Sequence, residues 1–259
     1  MDAEFDAIAQ AMSGLMSMTG ADEPTMVGTY IADYVAGMYG AIGTLNALRH
    51  RDRTGEGQVV DIASVDSIFS CLATQAAASV TAGVVPRRVG ARDALTAPGN
   101  VFRASDGYIY IHGGTNALFP RLCAAMGRPE LAQDPRFVDV GARVAHVEEI
   151  EATVQAWVEE RTTEEAGPPL TRYGIPWGPV LSVPDVIASD YARERELMLD
   201  LEHPVLGRVP VPASPLRLSA TPPRLRRSTP DAGQDTDEVL LNVGFSQRDV
   251  AAFRNDAVV

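Results

Sequence analysis

Asp33 is the strongest candidate for a reactive residue, because it is a lone carboxylate among small residues. At about 100° per residue, a helix from Thr29 to Arg49 places the following residues on its face: Ala36, Gly37, Gly40, Gly43 and Thr44. Such a face can serve close backbone packing, with Asp33 merely favoured near the positive end of the helix dipole. It can equally leave room for a ligand beside an ionised, partly desolvated carboxylate that acts as a covalent nucleophile.

The opposite face of this helix is apolar. It carries a stripe of Ile31, Val35, Met38, Ile42 and Leu45, which predicts packing into a core. The stretch is as long as a membrane helix, at about 20 residues. Because it also contains Asp33, Asn46 and three glycines, we interpret it as a buried helix of a water-soluble protein.

Other nucleophile and base patterns are weak. His50 lies among arginines, and His112 precedes Gly113-Gly114, where it could face a pocket or be structural. No histidine is spaced from a serine or cysteine as in a catalytic triad. The 22 basic residues are all arginine, which excludes a phosphate-loop lysine and a Schiff-base lysine. Cys71 and Cys123 are predicted to be buried thiols, and nothing indicates a metal site.

Composition narrows the class of protein. The chain has 259 residues, 46% of them hydrophobic, and a formal charge of -12 from 34 acidic and 22 basic residues. That charge argues against a nucleic-acid partner. The acidic start, with Asp2 and Glu4, lacks the pattern of a secretory or transit peptide, so we expect a cytoplasmic protein with no membrane partner.

The elements that would position these residues mix helices and strands. The patterns predict a first helix from Phe5 to Ser17, a strand at Val59–Ile62, a helix capped by Ser64 and a linker at Val84–Ala97. A hairpin turning at Ser105-Asp106-Gly107, helices at 118–126 and 144–161, a strand at 175–180, a proline-rich extended stretch at 203–231 and two short C-terminal helices follow. This order predicts an α/β fold with a second, smaller domain.

Several motifs together resemble the class III (CaiB/BaiF-type) CoA-transferases. They are Phe5–Gly14, Thr19-Gly20, Ala32-Asp33-Tyr34 with Ala36-Gly37, Arg53–Gln58, Gly174–Val180, His203–Gly207 and Asp235–Leu240. The resemblance covers essentially the whole chain in order. It implies that Asp33 is the family's nucleophilic aspartate, which forms an acyl-aspartyl intermediate.

The resemblance also implies an architecture and partners. Residues 1–82 would be the remaining part of a Rossmann-like large domain, 83–185 a small α+β domain, and 186–259 the extended return and C-terminal helices of the large domain. The substrates would be an acyl-CoA and a small carboxylic acid, with coenzyme A as substrate and no further cofactor. The family forms interlocked dimers, so a homodimer is expected.

Five further residues are expected to contact the substrates or CoA. The family's glycine-containing loop over the nucleophile matches Ala97–Asn100 here, which gives Pro98, Gly99 and Asn100. Phe5 and Asn116 stand where the related α-methylacyl-CoA racemases have a histidine and a glutamate. Because neither side chain can move a proton at neutral pH, transferase chemistry is favoured over a racemase or isomerase.

Two departures from the family set the alternatives. The family begins well upstream, with a Rossmann-like part that supplies most contacts to the CoA nucleotide, so a partner chain carrying that part is the alternative to a homodimer. The stretch Glu165–Pro169 is expected to interrupt a helix. The second hypothesis is a non-catalytic remnant that binds a partner protein, supported by the missing upstream part and by the loop Ala97–Asn100, which keeps one glycine where some transferases have a run of them.

Overall fold

The computed structural model describes residues 5–259. The acidic residues Asp2 and Glu4, on which the interpretation of the N-terminus depends, lie outside the described residues. The chain forms two compact units, the first ending at Val180 and the second running from Leu181 to Val259. The three-part division at residues 82 and 185 stays a prediction.

The first unit begins with four helices. They are α1 (Asp6–Met12), α2 (Ile31–Thr54), α3 (Ser64–Cys71) and α4 (Ala73–Ala82), with a short 3-10 turn at Leu15–Ser17. The long α2 ends at Gly55, whose φ of 81° is a left-handed conformation that glycine adopts without steric cost. The Gly55 amide donates to the Arg51 carbonyl at 2.7 Å, which closes the last turn.

Two sequence predictions fail in this region. Val59–Ile62 forms no strand, and the side chains of Val60 and Ile62 lie against Gly43 of α2 instead. A Cβ built on Gly43 would be 2.7 Å from Cγ1 of Val60. Ser64 does not cap the following helix, since it is the first helical residue and Ala63 occupies the cap position, and a break at Leu72 divides the predicted helix into α3 and α4.

The apolar stripe of α2 is only partly buried. Val35 is buried and Ile31 half-buried, whereas Met38, Ile42 and Leu45 are 57%, 55% and 67% exposed. The predicted burial of the whole stripe is therefore wrong for the chain as described, because α1 and α3 cover only the first turns. The core here is small, comprising Ala9, Ala32, Val35 and Ile68. Cys71 is likewise exposed rather than buried.

A sheet packed against helices completes the first unit. Its strands are β1 (Gly99–Arg103), β2 (Tyr108–His112) and β3 (Trp177–Pro179), in the antiparallel order β1-β2-β3. The register pairs Gly99 with His112 and Ile111 with Trp177, which confirms the predicted hairpin. The helices are α5 (Phe119–Ala125), α6 (Val140–Ala145), α7 (Val147–Glu159) and α8 (Thr163–Arg172).

The core between this sheet and these helices is continuous. Seventeen buried residues form it: Ala97, Phe102, Ala104, Ile109, Ile111, Phe119, Leu122, Cys123, Met126, Leu131, Phe137, Ile150, Val154, Val158, Ala166, Leu170 and Ile175. The strands contribute one face and α7 contributes a stripe at helical spacing. We call this part, residues 97–179, the sheet body.

The expected interruption at Glu165–Pro169 is wrong, because α8 continues through Pro168 and Pro169. A capping box between Thr162 and Glu165 starts the helix and satisfies its first amides. Burial of Ala166 before the prolines and of Leu170 after them holds the helix in place, which offsets the lost backbone hydrogen bonds.

The second unit combines short helices with a hairpin. Its elements are α9 (Val183–Ala188), α10 (Asp190–Glu194), β4 (Met198–His203), β5 (Gly207–Pro212), α11 (Thr236–Asn242) and α12 (Gln247–Asn255). In the proline-rich stretch, Gly207–Pro212 pair with β4 in an antiparallel ladder, and no helix forms between residues 203 and 231. The two C-terminal helices are confirmed.

The fold is mixed α/β with small antiparallel sheets. The strands from residue 5 onward include no parallel pair, so the Rossmann-like large domain stays a prediction. The interlocked dimer also stays a prediction. Within the same described range, no helix is both long and apolar enough to cross a membrane.

Candidate functional site

Asp33 is the third residue of α2, and its side chain is exposed rather than partly desolvated. The small-residue face beside it is open near Asp33 and covered farther along. A Cβ built on Gly37 or Gly40 would have no atom within 4 Å, whereas one on Gly43 would collide with Val60. The two interpretations of this face therefore apply to different turns: space for a ligand next to Asp33, and close packing near Gly43.

A buried carboxylate holds the beginning of α2. Oδ1 of Asp6 accepts the amide of Ala32 at 2.7 Å and the amide of Asp33 at 3.3 Å. Asp6 is only 5% exposed, so these backbone amides replace water as hydrogen-bond partners of its side chain. The first amides of a helix lack intrahelical acceptors, and Asp6 supplies one from 26 residues away.

Gln10 fixes Asp6 and the loop before α2. Its Nε2 donates to Oδ2 of Asp6 at 2.6 Å and to the carbonyl of Thr29 at 3.2 Å. Its Oε1 accepts the amide of Val27 at 3.0 Å. Phe5 precedes Asp6, is 73% exposed and occupies the cap position of α1. Asp6, the residue after Phe5, thus connects the start of α1 to the amide of Asp33, a role that sequence reasoning missed.

The other predicted residues lie at a second place, between the loop Ala97–Asn100 and the loop Gly113–Asn116. The amide of Gly113 donates to the Pro98 carbonyl at 2.9 Å. A Cβ on Gly99 would be 3.0 Å from Cβ of Asp93 and 3.2 Å from Nδ1 of His112, so a larger residue here would need these side chains to shift by a few tenths of an ångström. Pro98 and Gly99 are buried, whereas Asn116 is exposed.

The guanidinium of Arg143, on α6, forms hydrogen bonds to both of these loops. It is 1% exposed. Its Nε donates to the Ala97 carbonyl at 2.9 Å, and its Nη2 donates to the Gly114 carbonyl and to Oδ1 of Asn116, both at 2.8 Å. Nη1 donates to the carbonyl of Phe137 at 2.8 Å. Burial lowers the pKa of the Arg143 guanidinium.

Asn100 belongs to a separate network with Glu151 of α7. Its Nδ2 donates to Oε2 of Glu151 at 3.0 Å, and its Oδ1 accepts the amide of Val101 at 2.8 Å. Glu151 also accepts Nη2 of Arg92 at 2.7 Å, and this hydrogen bond raises the pKa of the arginine. Because both polar ends of Asn100 have protein partners, its side chain fixes β1 to α7.

The structure thus forms two groups of candidate residues. No hydrogen bond or ion pair among residues 5–259 joins the Asp33 group to the Arg143 group directly. The linker connects them instead: Nη2 of Arg88 donates to the Asp22 carbonyl at 3.1 Å, and the amide of Gly90 donates to the Gly20 carbonyl at 3.0 Å. A group of three or more metal-ligating side chains is absent from the part of the chain that the structure describes.

Known proteins match this chain along most of its length. The profile described as CoA-transferase family III matches residues 2–236. A succinyl-CoA--D-citramalate CoA-transferase of Chloroflexus aurantiacus is 31% identical over 99% of this chain and 65% of its own length. A succinyl-CoA:glutarate CoA-transferase of Mus musculus is 31% identical over 93% of this chain and 56% of its own length.

Solved structures agree with these sequence matches. The crystal structure of a CaiB/BaiF family protein from Brucella suis superposes with a TM-score of 0.77 at 31% identity, covering 93% of this chain and 63% of that one. A Mycobacterium tuberculosis structure at 24% identity, with a TM-score of 0.76, supports the fold alone. The chain spans less than two thirds of the length of these relatives.

Proposed function

Because the chain belongs to CoA-transferase family III, we propose that it moves CoA between an acyl-CoA and a carboxylic acid through a covalent intermediate on Asp33. One observation carries the proposal. The Asp33 carboxylate is exposed in the first turn of α2, and the next turn of that face, at Gly37, has no atom within 4 Å of a built Cβ. An acyl group on Asp33 therefore has room beside the helix.

The proposed reaction has two covalent stages. An Asp33 oxygen attacks the thioester carbonyl, the carbon–sulfur bond breaks, and CoA leaves as the thiolate, giving an acyl-aspartyl anhydride. The thiolate then attacks the Asp33 carbonyl and releases the donor acid, which leaves an aspartyl-CoA thioester. The incoming acid attacks this thioester, and the freed thiolate takes the new acyl group and restores the Asp33 carboxylate.

The residues around Asp33 would keep its carboxylate in place during these steps. Asp6 and Gln10 fix the first turn of α2, so the carboxylate starts each stage from a held position. Phe5 lies beside this network and would contribute apolar contact to the acyl group. Pro98, Gly99 and Asn116 would contact the substrates from the second loop pair, where Asn100 serves mainly to fix β1.

The substrate class follows from the relatives' names. Those relatives are named for succinyl-CoA as donor and for D-citramalate or glutarate as acceptor, and another is named for mesaconate. All these acids are small dicarboxylates. We therefore propose succinyl-CoA as donor and a small dicarboxylic acid as acceptor for this protein.

Partner subunits form part of the proposal. Alpha and beta subunits of a succinyl-CoA--L-malate CoA-transferase of Chloroflexus aurantiacus are both related to this chain. The exposed side chains of Met38, Ile42 and Leu45 give α2 an apolar surface that a second polypeptide could cover. A homodimer or a partner chain is proposed on these grounds.

Substitution of the nucleophile tests the proposed function. Asp33→Asn keeps the size and the helix position but removes the nucleophilic oxygen, so we expect CoA transfer from succinyl-CoA to glutarate to fall at least 1,000-fold. The measurement is acyl-CoA exchange followed by chromatography. Asp66→Asn is the matched control, because Asp66 is the exposed third residue of α3. Activity of Asp33→Asn within tenfold of wild type would contradict the proposal.

The same exposed surface of α2 favours a second candidate function, in which the chain binds a partner protein without catalysis. This candidate predicts a stoichiometric complex in the native cells and no transfer activity with or without the partner. Native mass measurement together with the exchange assay separates the two candidates, since a transferase gives activity in the isolated complex.

A further inference from the structure

Arg143 is a buried charge without a carboxylate partner. All four groups that accept its hydrogen bonds are neutral oxygens: three backbone carbonyls and the side-chain oxygen of Asn116. No ion pair within 4.0 Å involves Arg143 among residues 5–259, although the half-buried Arg92 pairs with Glu151. The charge of Asp139 acts on Arg143 from beyond that distance, so no carboxylate of this range neutralises the guanidinium by direct contact.

Arg143 determines the orientation of the Asn116 amide. A guanidinium only donates hydrogen bonds, so the Asn116 oxygen must face it and the NH2 group must point the other way. Nδ2 of Asn116 has no protein acceptor among the described residues, and the side chain is exposed. The two N–H groups of the Asn116 amide thus face solvent, beside the Arg143 guanidinium, which no carboxylate of the described residues contacts.

Resting on the proposed function, we infer that the Asn116 NH2 group binds the carboxylate of the incoming acid and that Arg143 is the positioning residue that aims it. A hydrogen bond to an ionised acceptor is about twice as strong as one to a neutral acceptor. The nearby positive charge strengthens it further, since the field of Arg143 acts on the acid's negative charge.

Asn116→Asp tests the role of Asn116. The new side chain keeps an oxygen for Arg143, so the loop pair retains its bond, but the two donors become a negatively charged acceptor. We expect KM for glutarate to rise at least tenfold, and KM for succinyl-CoA, which carries a carboxylate but also the CoA part, to rise less. Steady-state exchange with each substrate varied in turn measures both KM values.

Asn46→Asp is the matched control for the added charge. Asn46 is an exposed asparagine thirteen residues after Asp33 on α2, about 20 Å along the helix. It changes the net charge equally, so KM for glutarate should stay within twofold of wild type. An equal rise in both variants would overturn the inference, because net charge alone would then explain it.

A double-mutant cycle tests whether Arg143 acts through Asn116. Arg143→Lys keeps the charge but loses the fork that fixes the amide, so KM for glutarate should rise about threefold in the wild-type background. In an Asn116→Ala background the same change should have no further effect on KM, since the amide is already gone. Equal effects in both backgrounds would show a merely structural Arg143 and overturn its positioning role.

The outcomes separate this inference from the proposed function. Absence of any Asp33 adduct in the wild-type protein would overturn the proposed function and, with it, the inference. An adduct in wild type with an unchanged KM for glutarate in Asn116→Asp would overturn the inference alone.

Discussion

Two helices of the first unit, α2 and α7, each carry an apolar stripe at helical spacing, yet they end in opposite environments. The stripe of α7, with Ile150, Val154 and Val158, is fully buried in the sheet body. The stripe of α2 is covered only at its beginning, and Met38 through Leu45 face outward. Periodicity therefore predicts a helix and its apolar face, but what covers that face depends on the rest of the fold.

The same contrast extends to the candidate site. The loop pair around Arg143 is attached to a continuous core. Asp33, in contrast, lies on a helix that packs on a small core and is held by the hydrogen bonds of Asp6 and Gln10. The region that would carry the covalent chemistry is thus the less covered one. Regions with few buried apolar contacts open at lower free energy, so α2 has more freedom to accommodate a ligand or a partner.

The largest expected effect is the difference in lost unfolding free energy between a truncation in the sheet body and one on the stripe of α2. Leu122→Ala in the sheet body removes a fully buried side chain and should lower the free energy of unfolding by about 3–4 kcal/mol. In the monomeric protein, Leu45→Ala on the open stripe should lower it by less than about 0.5 kcal/mol. Urea denaturation of the purified protein measures both. Similar losses for the two variants would show that the α2 stripe is covered in solution.

Thiol labelling gives the next contrast. Burial raises the pKa of Cys123 from 9.0 to about 11, so at pH 8 its thiolate is about a hundredfold scarcer than in an unperturbed thiol. Cys71 is exposed on α3. Iodoacetamide at pH 8 should therefore label Cys71 at least a hundredfold faster, as read by mass spectrometry. Comparable rates for both thiols would contradict the continuous sheet-body core.

The direction of the Cys123 shift also fixes a pH dependence. Because the folded pKa is raised above the unfolded value, the stabilising effect of the neutral thiol is fully present below pH 9. It is lost as the pH rises from 9 towards 11. Cys123→Ala should remove this part of the pH dependence, and Cys71→Ala should leave it unchanged.

The smallest effect concerns the two ends of the small-residue face. Gly37→Ala adds a methyl group to open space and a better helix former, so it should stabilise the protein by about 0.5–1 kcal/mol. Gly43→Ala gives no such gain and costs about 1 kcal/mol, because Val60 must move. Thermal unfolding measures the pair. A gain at Gly43 equal to that at Gly37 would mean that Val60 does not pack against α2.

The features that sequence reasoning reached are those with local signals. The hairpin at Ser105–Gly107 has a turn sequence between alternating strands, and the helix carrying Asp33 has its own periodicity. Two prolines predict an interruption within α8, but the helix is continuous because a capping box and burial outweigh their cost. The false strand at Val59–Ile62 has the composition of a strand and lacks a partner.

The missed features depend on contacts between distant residues. Asp6 meets the amides of α2 from 26 residues away, and only the four-residue spacing of Asp6 and Gln10 on one helix face hinted at a shared role. Arg143 is one of 22 arginines, and no local pattern marks the one that joins two loops. Tertiary packing decides both, which is why a single sequence predicted the nucleophile but not its supports.

The most direct test of the central claim is the mass, during turnover, of the peptide that contains Asp33. The native protein is mixed with succinyl-CoA, quenched in acid within seconds, and mapped by peptide mass spectrometry. The account predicts a succinyl or CoA adduct on the peptide that contains Asp33, and none in Asp33→Asn. An unmodified Asp33 peptide in protein that is actively transferring CoA would contradict the account.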